Sequence, residues 1–189
     1  AAEGWTIGFS QDTMDHPWRA YMVTSAEAQA AKYPDLIDEF IYTDAGGSNE
    51  KQIADIEDLI SRGVDLIMMS PREAQALVPS VEAIKEAGIP LVVLDREIVG
   101  EDYDVFIGGN NLQIGEELGK YTLANAPEGF NYLELEGIPG ATPTIQRHEG
   151  FTAQIEGSAT RLDAQPANYD LAPAIPIMED WLTKYRGEF

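Results

Sequence analysis

The chain has 189 residues, of which 44% are hydrophobic and 24% charged, which is enough for one large domain or two small ones. Its 12 Lys and Arg oppose 33 Asp and Glu, and the formal charge of −21 argues against nucleic acid as a partner. The lack of cysteine excludes disulfides and thiol chemistry. His16 and His148 have no zinc-ligand spacing, so we expect no metal and no cofactor.

Short apolar runs alternate with amphipathic stretches along the chain, an order typical of βαβ units and a parallel sheet. Most runs are continuously apolar, which indicates strands covered by helices on both faces. The predicted strands are 5–10, 39–44, 64–70, 89–95, 104–109, 131–137 and 160–165.

The clearest predicted helix lies between Ser48, a favourable N-cap residue, and Gly63, a typical C′ residue. Another ends at Gly88, and Pro79 within it implies a kink or a late start. Further helices are predicted at about 17–33, 111–125, 141–156 and 172–185.

The stretch "GGNN" at 108–111 is the best candidate for a crossing between two domains, because its glycines free the backbone there. We therefore predict a first domain over 1–109 and a second over 110–189.

Polar and aromatic residues follow the predicted strands, where open parallel α/β sheets bind their ligands. The candidate residues are, in chain order, Ser10, Gln11, His16, Trp18, Arg19, Ser70, Arg72, Asp95, Arg96, Thr142, Thr144, Arg147, Asn168 and Tyr169.

Pro17 fits the first turn of a helix and would hold Trp18 and Arg19 at the exposed helix N-terminus. Taken singly, a tryptophan more often packs in the core, and an arginine more often forms a surface ion pair. Trp18 and Arg19 are therefore open to both readings, structural and ligand-binding.

Asp95 and Arg96 end a buried strand, and their side chains would point to opposite faces if the strand continued through them. They could simply cap the strand. Alternatively, they form an acceptor and a forked donor suited to the hydroxyls of a polyol.

Enzyme signatures are absent from the sequence: it has no GxSxG, GxGxxG, GxxxxGK[ST] or HExxH motif. No pair of carboxylates stands out as an acid and base, so a hydrolase or glycosidase has no specific support. We expect a protein that is not an enzyme.

Four stretches together resemble the periplasmic sugar-binding proteins of ABC importers, of the ribose- and galactofuranose-binding type. They are "IGFSQDTMDHPWR", "GVDLIMMSP…IPLVVLDRE", "LELEGIPGATPTIQRHEGF" and "AQPANYD…IMEDWL". The resemblance covers essentially the whole chain. It implies an α/β fold of two Rossmann-like lobes with parallel sheets flanked by helices, the second lobe incomplete, because family chains continue beyond the helix that ends here.

The resemblance also implies roles for single residues. Trp18 matches the aromatic that stacks on a sugar face, with Arg19 beside it, and Tyr169 matches a second such aromatic. Asp95 and Arg96 match the family's Asp–Arg pair, and Arg147 its second-domain arginine.

Ser10, Gln11, His16 and Thr142 complete the expected ligand-binding set. His16 stands where ribose binders carry an amide, which argues against ribose itself.

The function that follows is capture of a monosaccharide or related polyol between two lobes and its delivery to an ABC transporter permease. We expect a periplasmic protein whose signal peptide has been removed, since no uncleaved signal or membrane span is visible. The alternative is the effector-binding core of a sugar-responsive transcription regulator, although no basic helix-turn-helix precedes the core. An incomplete second lobe would also favour self-association.

Overall fold

The computed structural model describes residues 4–189, which fall into two compact units that divide after Gly109. Both units are α/β, and their strands and helices alternate along the chain as the sequence pattern predicts.

The first unit contains one parallel sheet of five strands in the order β2-β1-β3-β4-β5. The strands are β1 (Trp5–Gln11), β2 (Ile37–Asp44), β3 (Leu66–Ser70), β4 (Leu91–Leu94) and β5 (Val105–Ile107). Its helices are α1 (Pro17–Ala30), α2 (Asn49–Arg62) and α3 (Val78–Glu86).

Helix α2 begins and ends as its sequence predicts. The Ser48 hydroxyl accepts a hydrogen bond from the backbone N–H of Lys51 at 3.2 Å, and Gly63 adopts a left-handed conformation with φ of 71°. Helix α3 starts late, with Pro79 in its first turn, where the missing N–H of proline costs no helical hydrogen bond.

Two apolar clusters hold this sheet between its helices. One joins α2 and α3 to the sheet through fully buried residues such as Ile56, Ile67 and Ile84. The other joins α1 to the sheet through Phe9 and Val23. Because both faces of the strands are covered, their continuous apolar runs are explained.

The second unit has two parallel strands, β6 (Phe130–Glu136) and β7 (Ala159–Pro166). Its helices are α4 (Asn111–Asn125), α5 (Thr142–Ile155) and α6 (Leu171–Lys184). Helices α4 and α5 pack backbone to backbone, since a Cβ on Gly150 would lie 2.2 Å from the carbonyl oxygen of Leu112. Within residues 4–189, no helix is long and apolar enough to cross a membrane.

Candidate functional site

A buried cluster of charged side chains lies at the carboxyl ends of three strands in the first unit. Asp12 follows β1, Ser70 ends β3, and Asp95 and Arg96 follow β4. Helix α1 adds Arg19 from its first turn. The cluster therefore occupies the edge where open parallel sheets bind ligands.

Arg19 is the centre of this cluster. Its Nη2 donates to Oδ2 of Asp95 at 2.6 Å, its Nη1 donates to the Ser70 hydroxyl, and its Nε lies 3.6 Å from Oδ1 of Asp12. Only 7% of Arg19 is exposed, so the expectation that it sits at an exposed helix N-terminus is wrong. The side chain turns inward because three partners from neighbouring strands compensate its burial.

The electrostatics of Arg19 combine opposing effects. Burial lowers the pKa of its guanidinium from the ordinary value, and the neighbouring charge of Arg96 lowers it further. Asp12 and Asp95 act in the opposite direction and raise that pKa. The carboxylates of Asp12 and Asp95 compensate the two positive charges, which allows both arginines to lie in the interior.

Arg96 forms the second buried ion pair. Its Nη1 donates to Oδ2 of Asp12 at 2.8 Å and lies 3.3 Å from the carbonyl oxygens of Pro71 and Arg72. Asp12 is fully buried, and sequence reasoning did not select it. The signal was available, since a carboxylate directly after a buried strand is costly unless it has a partner.

Asp95 does not continue the strand. Strand β4 ends at Leu94, and Asp95 has a φ of 63°, a conformation that non-glycine residues seldom adopt. The condition for opposite faces, a strand that continues through both residues, is not met, and the two side chains of the Asp95–Arg96 pair join one cluster. Such a local conformation is kept where the surrounding structure fixes it, as it is at many ligand sites.

Trp18 presents its ring beside this cluster. The side chain is 51% exposed, and Cζ of Arg19 lies 5.0 Å from the ring centroid. His16 is the N-cap of α1: its Nδ1 accepts from the backbone N–H of Trp18 at 3.2 Å, and the residue is exposed. An open aromatic face next to buried charged groups matches the two kinds of surface on a sugar ring.

Ser10 and Gln11 are fully buried in the last two positions of β1. Nε2 of Gln52 donates to the Ser10 hydroxyl at 3.3 Å, and Oε1 of Gln11 accepts from the backbone N–H of Asp12 at 3.1 Å. Gln52, which sequence reasoning missed, also donates to the carbonyl of Ser70 at 3.0 Å. Through these hydrogen bonds the three side chains fix the ends of β1 and β3, where Asp12 and Ser70 join the cluster.

The second unit gathers a separate group of predicted residues. The hydroxyls of Thr144 and Tyr169 are 2.8 Å apart, and Nε of Arg147 donates to Oδ1 of Asn111 at 2.9 Å. Thr142 is the first residue of α5 and is half-buried. A cavity of about 520 Å³ in this unit is lined by Thr144, Arg147 and Tyr169 among other residues.

Tyr169 is held in place by the backbone. Asn168 and Tyr169 have φ values of 57° and 62°, and a Cβ on Gly137 would lie 2.1 Å from Cζ of the Tyr169 ring. Asp95, Asn168 and Tyr169 are the non-glycine residues with positive φ in the described part of the chain, and all three come from the predicted candidates. Gly137 was missed, because its role depends on a contact 32 positions away.

No group of His, Cys, Asp or Glu side chains among residues 4–189 could hold a metal ion. The polar groups that the structure assembles are hydrogen-bond donors and acceptors with an adjacent aromatic face. Groups of these kinds can hydrogen-bond to, and stack on, a neutral, hydroxyl-rich molecule.

A parallel α/β sheet with polar groups gathered at the carboxyl ends of its strands is typical of ligand-binding proteins. Comparison of the chain with known proteins agrees with this class. The periplasmic binding protein domain matches residues 7–188, so the chain belongs to that family. The expected resemblance is confirmed, as is the α/β fold of the type I periplasmic binding proteins.

Several relatives have names that include a sugar. The ribose import binding protein RbsB of Bacillus subtilis is 29% identical over 177 residues, covering 94% of this chain and 57% of that protein. The galactofuranose-binding protein YtfQ of Escherichia coli is 26% identical, with coverage of 94% and 57%. The chain thus spans less than two thirds of the length of these relatives.

Solved structures show the same relation. The arabinose-transporter binding protein of Shewanella, bound to arabinofuranose, has a TM-score of 0.85 and 28% identity, covering 97% of this chain and 61% of that one. A galactofuranose-binding protein has a TM-score of 0.87 and 26% identity, covering 95% and 62%. These relatives are binding proteins, not enzymes.

Proposed function

We propose that this chain binds a monosaccharide or related polyol and delivers it to the membrane permease of an ABC importer. It acts in the periplasm, after removal of a signal peptide, and without catalysis. The observation that carries the proposal is the buried cluster of Arg19, Asp95, Arg96 and Asp12 beside the open face of Trp18.

The chemistry of a sugar fits that cluster. The apolar C–H face of a sugar ring packs on an aromatic side chain, for which Trp18 is available. Its hydroxyls both donate and accept hydrogen bonds, and charged side chains offer strong bonds of both kinds. A ligand that lacks a matching hydroxyl would leave a polar group of the closed site without its hydrogen bond, which is a basis of selectivity.

The residues divide by expected role. We propose direct ligand contacts for Trp18, Arg19, Asp95 and Arg96 in the first unit. For the second unit by itself, we propose ligand contacts of Thr142, Arg147 and Tyr169. Ser10, Gln11 and His16 belong to the site as supports of these side chains, since the first two are buried and the third caps α1.

The names of the relatives set the range of ligands to test. They include proteins named for ribose, galactofuranose, arabinose and fructose, all of which are monosaccharides. No described feature of this chain favours the regulator core over a transport protein.

The test is a thermal melt of the 189-residue chain against pentoses, hexoses and inositols at millimolar excess. A sugar held about a thousandfold above its dissociation constant adds about 4 kcal/mol to stability and raises the melting temperature. We expect one sugar, or a closely related pair, to raise it. Flat melts across the whole panel would contradict sugar binding by this chain.

A further inference from the structure

Asp12 is a completely buried carboxylate that directly follows β1. Its Oδ2 accepts from Arg96 at 2.8 Å, while Oδ1 accepts no hydrogen bond and lies 3.6 Å from Nε of Arg19. Its backbone is fixed as well, because its carbonyl accepts from the N–H of Gly47 at 2.8 Å. The Asp12 carboxylate therefore faces both arginines, hydrogen-bonded to Arg96 and within ion-pair distance of Arg19, whose closer partner is Asp95.

The charges of the cluster balance. Arg19 and Arg96 bring two positive charges, and Asp12 and Asp95 bring two negative ones. Arg72 is near but has an acidic neighbour of its own, since its Nε lies 4.0 Å from the Glu73 carboxylate. The side chain of Asp95 is 24% exposed, whereas that of Asp12 is shielded from solvent entirely.

Charge balance determines which ligands such a cluster accepts. A buried arginine without a counter-charge gains by binding any anion that reaches it, because an uncompensated buried charge is costly. An arginine that is already paired can still donate a hydrogen bond to a neutral hydroxyl. A second carboxylate brought close to Asp12 would instead be repelled.

We propose that Asp12 is a specificity-determining residue, whose buried charge makes the two-arginine cluster select neutral sugars over sugar acids and sugar phosphates. It acts through Arg19 and Arg96 and touches no ligand itself. The inference rests on the proposed function, in that the cluster is taken to be the sugar site.

The test is Asp12→Asn in the 189-residue chain, which keeps the size of the side chain and removes its charge. Titration calorimetry and thermal melts compare D-galactose and L-arabinose with D-galacturonate and inorganic sulfate, all at matched ionic strength. The variant is expected to gain about tenfold or more in affinity for galacturonate or sulfate over the unaltered chain, the size of one charge-assisted hydrogen bond.

Two control variants separate this effect from a general change of charge. Asp15→Asn removes an exposed carboxylate three positions away, and it is expected to leave anion binding unchanged. Asp12→Asn combined with Arg96→Met removes one negative and one positive charge, which leaves Arg19 paired with Asp95. The gain in anion affinity is expected to disappear in this double variant.

Each outcome bears on the proposal. Folding of Asp12→Asn only in the presence of sulfate or galacturonate would support it, since the anion then replaces the missing charge. A folded variant without any gain for anions would overturn it, as would a variant that folds under neither condition.

The two claims fail separately. If the unaltered chain binds none of the neutral sugars but Asp12→Asn gains anion affinity, the proposed function fails and the charge role of Asp12 stands. If the unaltered chain binds galacturonate as tightly as galactose, the proposed function survives in a broader form and the specificity role falls.

Discussion

Trp18 and Arg19 are neighbours in the sequence, yet the first is half exposed and the second is buried. Helix α1 explains the difference, because consecutive side chains of a helix point about 100° apart around its axis. One residue can therefore offer a stacking surface while the next enters the charged cluster. At this scale the site is a set of paired charges with one open aromatic face.

Trp18→Ala is expected to abolish or strongly weaken sugar binding while leaving the melting temperature of the free chain nearly unchanged. The ring is half exposed and contributes little to the core, but it is the proposed stacking surface. Tyr21→Ala is the matched control, because Tyr21 lies on the same helix and is more exposed. Equal affinity of Trp18→Ala and the unaltered chain by calorimetry would contradict the stacking role.

Arg96→Ala is expected to lower the free energy of unfolding by about 3–5 kcal/mol, because it leaves the buried Asp12 carboxylate without its donor. Arg62→Ala breaks an exposed pair with Asp58 and is expected to cost less than about 1 kcal/mol. Urea titrations of both variants would refute the account if the two losses were equal.

The sequence indicated most site residues but not their connections. Asp95, Arg96 and Trp18 could be selected because they follow apolar strands or open a helix. Asp12 carries the same signal, a carboxylate directly after a buried strand, but its partner Arg96 lies 84 positions away and is not visible in the sequence. Gln52 carries no such signal, because its importance comes from a partner 42 positions away. Burial of Arg19 likewise depends on Ser70 and Asp95, which only the folded sheet brings near.

At the scale of elements, α4 and α5 pack closely because glycines allow their backbones to approach. A Cβ on Gly115 or Gly150 would lie 2.2 Å from a carbonyl oxygen of the facing helix. This contact also sets the hydrogen bond between Arg147 of α5 and Asn111 of α4. The position of one proposed ligand contact thus depends on the helix packing.

Gly150→Ala is expected to destabilise the chain by about 1–3 kcal/mol, because the helices must separate to admit a methyl group. Alanine alone would favour the helix by about 1 kcal/mol, so a net loss is diagnostic of the clash. Glu149→Ala, an exposed neighbour on the same helix, serves as the control in urea unfolding. Greater stability of Gly150→Ala would show that the helices can separate freely.

The elements themselves were predictable because their signals are local. Every predicted strand and helix is present, and α2 begins and ends at its predicted caps. The ends differ where no cap marks them: α1 stops at Ala30, three residues before its predicted end. Strand β4 stops one residue early, where Asp95 turns the chain toward Arg19.

At the scale of the whole molecule, the two units differ in the size of their described sheets, with five strands in the first unit and two in the second. In the described residues, β6 and β7 pair only with each other, so each keeps an open edge. Large apolar side chains of this unit are also exposed, among them Leu118, Leu135 and Leu171. Open edges and apolar surface both favour association between chains.

We therefore expect the 189-residue chain to self-associate with rising concentration in sedimentation velocity. Leu135→Lys places a charge on β6 and is expected to reduce association. Leu36→Lys is the control and is expected to have no such effect, because Leu36 lies in the first unit and is 52% exposed against 43% for Leu135. A single monomeric species at every concentration would contradict this expectation.

The measurement that tests sugar binding at this cluster most directly is a nitrogen-15 NMR titration of the chain with the sugar panel. One sugar is expected to shift the indole signal of Trp18 and the guanidinium signals of Arg19 and Arg96. Trp5, at the opposite end of β1, and the buried Trp181 of the second unit are internal references and are expected to stay in place. Unchanged signals of Trp18 and both arginines with every sugar, or shifts confined to the other tryptophans, would contradict it.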